Sequence, residues 1–373
     1  MIHEFDDLRP YNDAEIPAAM QRIASDPLLD VVAANFFKGI TIDDVKALLL
    51  SVKTVDEFQH KIMHRIINGI AQQTTSGVEV SGFDHLDKNK SYLFVANHRD
   101  IVLDSAFLQA GLDANGFRTT EITFGSNLMK PQFAVDFGKS NKMFKVIRDG
   151  SVRDFIKNSL HLSKYIRHTI TRKNESIWIA QRSGRTKNGN DLTDQGIIKM
   201  FAMSAENHHE VEALLDLNIV PLAISYQIEP CDYLKARELF LSQSGPYKKD
   251  EWEDLNSIVE GVKNYKGKVN IQIMPPINNK IAQLKSATKN ELYKLVAGII
   301  DEEIYKGYKL FNYNYIAYDL LNSTNKYEGN YTPEDKATFI AEMNRKIDPM
   351  GLPSDDVKRF YLSIYANPVV NHL

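Results

Sequence analysis

One cysteine, Cys231, stands among 373 residues. A lone thiol excludes an intramolecular disulfide and a cysteine-built metal cluster, and it fits a reducing, cytoplasmic setting. Long apolar runs are missing too. The best stretches, such as 213–224, are broken by Asp and Asn, and none approaches the roughly 18 residues of a membrane span. The opening residues, MIHEFDDLRPYNDAEIP, carry acids and no apolar core, so no signal peptide is expected. There is no GxSxG elbow, no GxxxxGKS/T phosphate loop and no GxGxxG turn. Serine hydrolase, P-loop nucleotidase and dinucleotide enzyme all lose support.

What is present is ordinary in amount and uneven in distribution. Hydrophobic residues at 43% and charged residues at 25% allow a sizeable core. The length suits two domains, or one large domain with an appendage. The net charge is −3, yet residues 139–187 hold thirteen Lys and Arg against Asp149, Asp154 and Glu175. A basic middle in an acidic chain points to a phosphate-bearing substrate, an acidic carrier protein or an anionic membrane surface.

Read in order, residues 1–75 are helical. Pro27 suits a first helical turn, and Thr41 precedes a helix through Leu50. Thr54 and Glu57 form a capping box, Glu57 reaching back to the Thr54 amide. Phe58, Ile62, Ile66 and Ile70 then make a buried stripe. His60 and His64 have metal-ligand spacing, but no acidic ligand set accompanies them in sequence, and no metal is expected.

From residue 76 short β-type runs (77–81, 92–96, 120–124, 144–147, 176–180, 219–225, 269–274) alternate with helical segments. That pattern predicts an α/β fold, a largely parallel mixed sheet flanked by helices. Residues 76–284 would form this domain, 1–75 an N-terminal helical module and 285–373 a C-terminal helical extension, whose tyrosines (Tyr305, Tyr308, Tyr313, Tyr315, Tyr318) read as packing.

One turn stands out. In SYLFVANHRDIVLDSAFL, residues 91–108, His98 follows an apolar strand and precedes a helix, where α/β proteins place their chemistry. Asp100 and Asp104 are both candidates to orient the imidazole. Asp100 also has an ordinary role as helix N-cap, which favours Asp104. On a regular helix a residue at +6 lies about 120° from the histidine, so the pair must meet across the turn. Three other strand ends carry segments of note: 144–148 (FKVIR) and 178–185 (WIAQRSGR), both with cations, and the apolar 220–222 (VPL), in which Pro221 reads as an edge-strand or loop proline.

In order and spacing these four segments resemble the glycerolipid acyltransferase family, which includes the glycerol-3-phosphate and 1-acylglycerol-3-phosphate acyltransferases. Its blocks are His-x4-Asp, Phe-Ile/Val-x-Arg, Glu-Gly-x-Arg/Ser and an apolar block with proline. The resemblance spans about 77–225. It implies a fatty acyl group moved from acyl-CoA or acyl-carrier protein to the hydroxyl of a phosphorylated glycerol or lysolipid acceptor, in phospholipid biosynthesis. His98 would be the general base and Asp104 or Asp100 its carboxylate. Arg99, Lys145, Arg148, Arg182, Ser183, Gly184 and Arg185 would meet substrate, with Lys187 a helper, and backbone amides of the helix after His98 would serve the oxyanion. The protein would be cytoplasmic and peripherally membrane-associated, with no nucleic-acid partner, no cofactor and no metal. Three departures qualify the match: Asp104 is at +6 where the family has +5, Phe144 is one residue too far from Arg148, and Ser183 replaces the glutamate. The last leaves open an amino-acid lipid acceptor without phosphate. A non-catalytic lipid- or carrier-binding protein on the same scaffold is the alternative of another class.

Overall fold

The computed structural model describes residues 4–37, 39–147, 151–205, 209–250 and 252–373. Among these residues seven strands form one sheet: β1 (Gly77–Ser81), β2 (Leu93–Ala96), β3 (Glu121–Gly125), β4 (Met143–Val146), β5 (Ile177–Ala180), β6 (Ile219–Tyr226) and β7 (Lys268–Ile273). Their order is β1-β7-β6-β2-β5-β3-β4, and every neighbouring pair is parallel except β6 with β7. The expected mixed, largely parallel sheet is therefore present. β2 (LFVA) and β5 (IWIA) are apolar at every position because helices cover both faces.

The helices preceding the sheet are α1 (Ile16–Ser25), α2 (Leu28–Phe36), α3 (Ile42–Ser51), α4 (Val55–Phe58) and α5 (His64–Thr74), with a π-helical turn at Gln59–Met63 joining the last two. Within the sheet region come α6 (Leu103–Ala114), α7 (Gln132–Ser140), α8 (Val152–Thr171), α9 (Gln195–Ala202), α10 (Glu210–Leu215), α11 (Asp232–Leu241) and α12 (Glu253–Lys263). After it come α13 (Asn278–Ala282), α14 (Lys289–Gly307), α15 (Asn312–Asn322), α16 (Pro333–Ile347) and α17 (Ser354–Asn371). Among the described residues no helix is long and apolar enough to cross a membrane.

Strand side chains alternate between faces, and the two faces feed separate cores. Phe94, Ala96, Trp178, Leu222 and Ile224 pack with α1–α6, so residues 16–70 share the sheet's own core. Leu93, Val95, Ile177, Ile179 and Ile219 pack with α8, α9, α10 and α14 on the other face. A third cluster joins α11 to α15, α16 and α17. The chain thus leaves β2 towards one face through α6 and leaves neighbouring β5 towards the other through α9. Between two such strands a crevice opens at their carboxyl ends, and His98 follows β2 there.

Two local readings need correction. Glu57 accepts from the Lys53 amide (2.7 Å), while Thr54 accepts from Glu57 N (3.1 Å), so the box closes one residue earlier than expected. Pro221 is buried within β6, opposite Val95 of β2, and is neither an edge-strand nor a loop residue. Its carbonyl accepts from Met274 N (3.0 Å), just beyond the end of β7. The absent N–H lies on that same side, where the β7 ladder stops, so no strand acceptor is left waiting.

Candidate active site

The turn after β2 is tied down on several sides. Asn97 extends the ladder with its side chain: Nδ2 donates to Ile224 O (3.0 Å) and Oδ1 accepts from Ile224 N (2.7 Å). The His98 carbonyl accepts from Thr186 N (2.8 Å) in the β5–α9 loop. Asp100 Oδ1 accepts from Val102 N (2.9 Å) and Leu103 N (2.8 Å), capping the start of α6. Its carboxyl is wholly buried, which pushes its pKa up, and the charge of Asp104 pushes the same way.

Asp104, in the first turn of α6, is 0% exposed and collects the turn around one oxygen. Oδ2 accepts from Arg99 N (2.6 Å) and Asp100 N (3.0 Å) and lies 2.8 Å from His98 Nδ1. A carboxylate only accepts, so Nδ1 carries the proton, and the neutral ring keeps its lone pair on Nε2. The offset of six residues is absorbed because the chain wraps about the carboxylate before the helix begins. The imidazole is 13% exposed and meets Trp178 edge-on at 5.5 Å. The four amides of residues 99, 100, 102 and 103 are thus taken by Asp104 and Asp100, which removes them as the expected oxyanion donors.

The cationic residues divide. Arg99, expected at the substrate, is wholly buried: Nη2 bonds Asp191 Oδ2, Nη1 lies 3.5 Å from Glu229, and the guanidinium sits 5.2 Å from the Tyr308 ring centroid. Lys235 Nζ donates to the Arg99 carbonyl (2.8 Å) and to Glu229 (2.5 Å). Paired and out of reach of solvent, Arg99 supports the turn from beneath. Arg185 is also buried, at 8% exposed, and Nη1 has no hydrogen-bond partner among the described residues. Lys187 pairs with Glu238, and burial pushes its pKa down to about 8. Gly184 has φ 73°, a left-handed conformation that suits glycine. Arg148 lies outside the described residues.

Lys145, Arg182 and Ser183 come together at a cavity of about 550 Å³. Its walls are the ends of β4 and β5 with α8 and α9, through Val146, Ile179, Phe155, Ile156, Ile197 and Met200. It belongs to the α8–α9 face of the sheet, and His98 is not among the residues that line it. The site therefore has two parts flanking the carboxyl ends of β2 and β5: a His–Asp pair on the α6 side, and an apolar cavity with a cationic rim on the other.

Four residues of this arrangement escaped the sequence reading. Asp191 binds Arg99, Asn97 Nδ2 (3.0 Å) and Thr186 Oγ1 (2.7 Å), joining turn to loop. Tyr226 Oη donates to Asp104 Oδ1 (2.8 Å). Glu229 and its partner Lys235 complete the buried charges. Only Tyr226 left a trace in the sequence, as the last of the alternating row Val220, Leu222, Ile224, Tyr226.

No protein-family model matches the chain, and no curated protein matches it. Among solved structures it is similar to the 1-acyl-sn-glycerophosphate (LPA) acyltransferase PlsC from Thermotoga maritima, at TM-score 0.39 and 12% identity over 78% of this chain and 94% of that one.

Proposed function

We propose that the chain is an acyl-thioester-dependent O-acyltransferase acting on a phosphorylated glycerol or lysolipid acceptor. One observation carries the reading: an imidazole held through Nδ1 by a buried carboxylate at 2.8 Å, with no hydrogen-bond partner on Nε2 among the described residues, at the end of a central parallel strand. Such a ring removes a proton from a hydroxyl and tolerates the positive charge it gains. As the acceptor oxygen attacks the thioester carbon, its proton passes to Nε2. When the tetrahedral intermediate collapses, the C–S bond breaks and the thiolate leaves with the proton returned by the imidazolium.

The cavity edged by Lys145 and Arg182 supports an amphiphilic substrate with an anionic head. The order of the four sequence blocks supports acyl transfer in particular. Phe155 (64% exposed), Ile156 and Leu160 stand open to solvent on α8 beside Arg153 and Lys157, a composition suited to peripheral contact with anionic lipid. The donor is acyl-CoA or acyl-carrier protein, the latter matched by the basic segment. Ser183, exposed where the family has glutamate, favours a second reading in which the acceptor lacks phosphate.

The test is purified protein with labelled acyl-CoA or acyl-carrier protein and a panel of phosphorylated and phosphate-free acceptors, beside His98→Ala. Turnover should fall by about 10²–10⁴ in the variant, the usual contribution of a positioned base. Undiminished turnover in His98→Ala, or none with any acceptor in the native protein, overturns the proposal.

A further inference from the structure

We infer that Tyr226 is a positioning residue that sets the basicity of His98 through Asp104. The inference rests on His98 acting as a base, but it concerns how that base is tuned. Tyr226 ends the row of β6 side chains directed at α6, and it is 1% exposed. Its hydroxyl donates to Asp104 Oδ1 at 2.8 Å, while Oδ2 receives His98 and the amides of Arg99 and Asp100. Each carboxylate oxygen thus has its own set of donors, and the plane of the carboxylate is fixed relative to the ring.

The phenol is suited to this task because it gives a hydrogen bond without giving up its proton. Burial pushes its pKa far up, and the charge of Asp104 adds to the effect. A neutral donor on Oδ1 draws negative charge away from Oδ2. That weakens the hold of Asp104 on an imidazolium compared with an unshared carboxylate. A general base needs its free form near the working pH. The other charged groups around the pair are Asp100 in the same turn, Arg99 and Lys235 of α11 beneath it, Glu229 just past β6, Asp191 and Arg185 from the β5–α9 loop, and Lys266 before β7, which interacts with Asp100. Asp191 and Glu229 face Arg99, and Arg185 opposes the charge on Asp100. Among the described residues, Tyr226 is the side chain besides His98 that is bonded to the Asp104 carboxylate itself.

The decisive measurement is the titration of the His98 ring by NMR in the full chain without substrate, assigned by comparison with His98→Gln. Tyr226→Phe keeps the ring and removes the donor, so the His98 pKa should rise by about half a unit or more. Where transfer is measurable, the acid limb of kcat/KM should move the same way. A ring-difluorinated tyrosine at position 226 is a stronger donor of nearly the same shape and should move the titration down. An unchanged titration in either folded protein, or shifts of the same sign in both, overturns the inference. If Tyr226→Phe fails to fold, the fluorinated protein decides by the sign of its shift alone. Because no substrate enters the NMR measurement, opposed shifts in a protein that transfers no acyl group would defeat the reaction assignment and leave the role of Tyr226 standing.

Discussion

Beneath the His98 turn lie two cations, Arg99 and Lys235, and two anions, Asp191 and Glu229, all at most 4% exposed. Their charges cancel, which is what allows them to be buried. Replacing Arg99 with Met would leave Asp191 and Glu229 short of a counter-charge. Breaking a buried pair from one side costs about 3–5 kcal/mol, so Arg99→Met should lose about that much stability in urea unfolding monitored by circular dichroism. An unchanged unfolding midpoint would show that these charges do not hold the turn. The cluster also explains what could be read from the sequence at this scale. His98 and its two acidic candidates were visible because they are close along the chain. The environment of Arg99 was not, since its partners are 92 and 130 positions away and its neighbour in sequence, His98, lies in a different environment. Asp104 is favoured over Asp100 only because Asp100 has a capping role to fill; the choice itself depends on the path of a turn, which residue spacing does not determine.

Elements were more legible than residues. All seven strands lie where apolar runs bounded by turn residues predicted them, and Thr41 caps α3 by accepting from Asp44 N (3.2 Å). The π turn at Gln59–Met63 was not foreseen, because one extra residue in a helical turn leaves the apolar spacing nearly intact. His60 sits in that turn. Its Nδ1 bonds the Asp56 carbonyl (2.8 Å), which can only accept, and its Nε2 faces Asp113 of α6 at 3.1 Å. His64 also approaches Asp113, at 3.3 Å. Both ring nitrogens of His60 are therefore best served by protons, and its pKa is raised, chiefly by the Asp56 carbonyl and then by the charge of Asp113. A raised folded-state pKa contributes stability that is complete below the unfolded value, about 6.5 for histidine, and fades as pH climbs through the folded one. Thermal unfolding across pH should show His60→Gln less stable than the native chain at pH 5.5. The gap should narrow steadily above neutrality. A gap independent of pH would exclude the link between the π turn and α6 as a charged one.

At the scale of the whole molecule, the C-terminal helices reach the site at Tyr308 over Arg99, at Tyr365 on the Glu229 amide (3.0 Å), and through one loop. Residues 181–194 between β5 and α9 carry Arg182, Ser183, Arg185 and Asp191, and α17 lies against them. Asn367 Nδ2 donates to Asn188 O (2.7 Å). α17 itself is anchored by Tyr361 and Tyr365, which donate to buried Asp232 at 2.6 and 2.7 Å, so the tyrosines that do most here are not those singled out from the sequence. Pro368 stands inside α17 and removes the N–H that would bond Ile364 O. The freed carbonyl faces Gly189, whose φ is 75° and where a Cβ would stand 2.1 Å from that oxygen. Strand order and this docking join segments nearly 180 residues apart, and no local pattern encodes such a meeting. A side chain at position 189 must therefore displace either the helix or the loop. Gly189→Ala should cost about 1–3 kcal/mol for the left-handed backbone alone, with the steric contact in addition. Because the loop also holds Asp191 and donates Thr186 N to the His98 carbonyl, the loss should not be confined to stability. Turnover at a temperature where the variant is fully folded should fall as well, with greater hydrogen exchange at the amides of residues 185–191. If exchange there is unchanged and turnover intact, α17 is a passive cover and the loop keeps its shape without it.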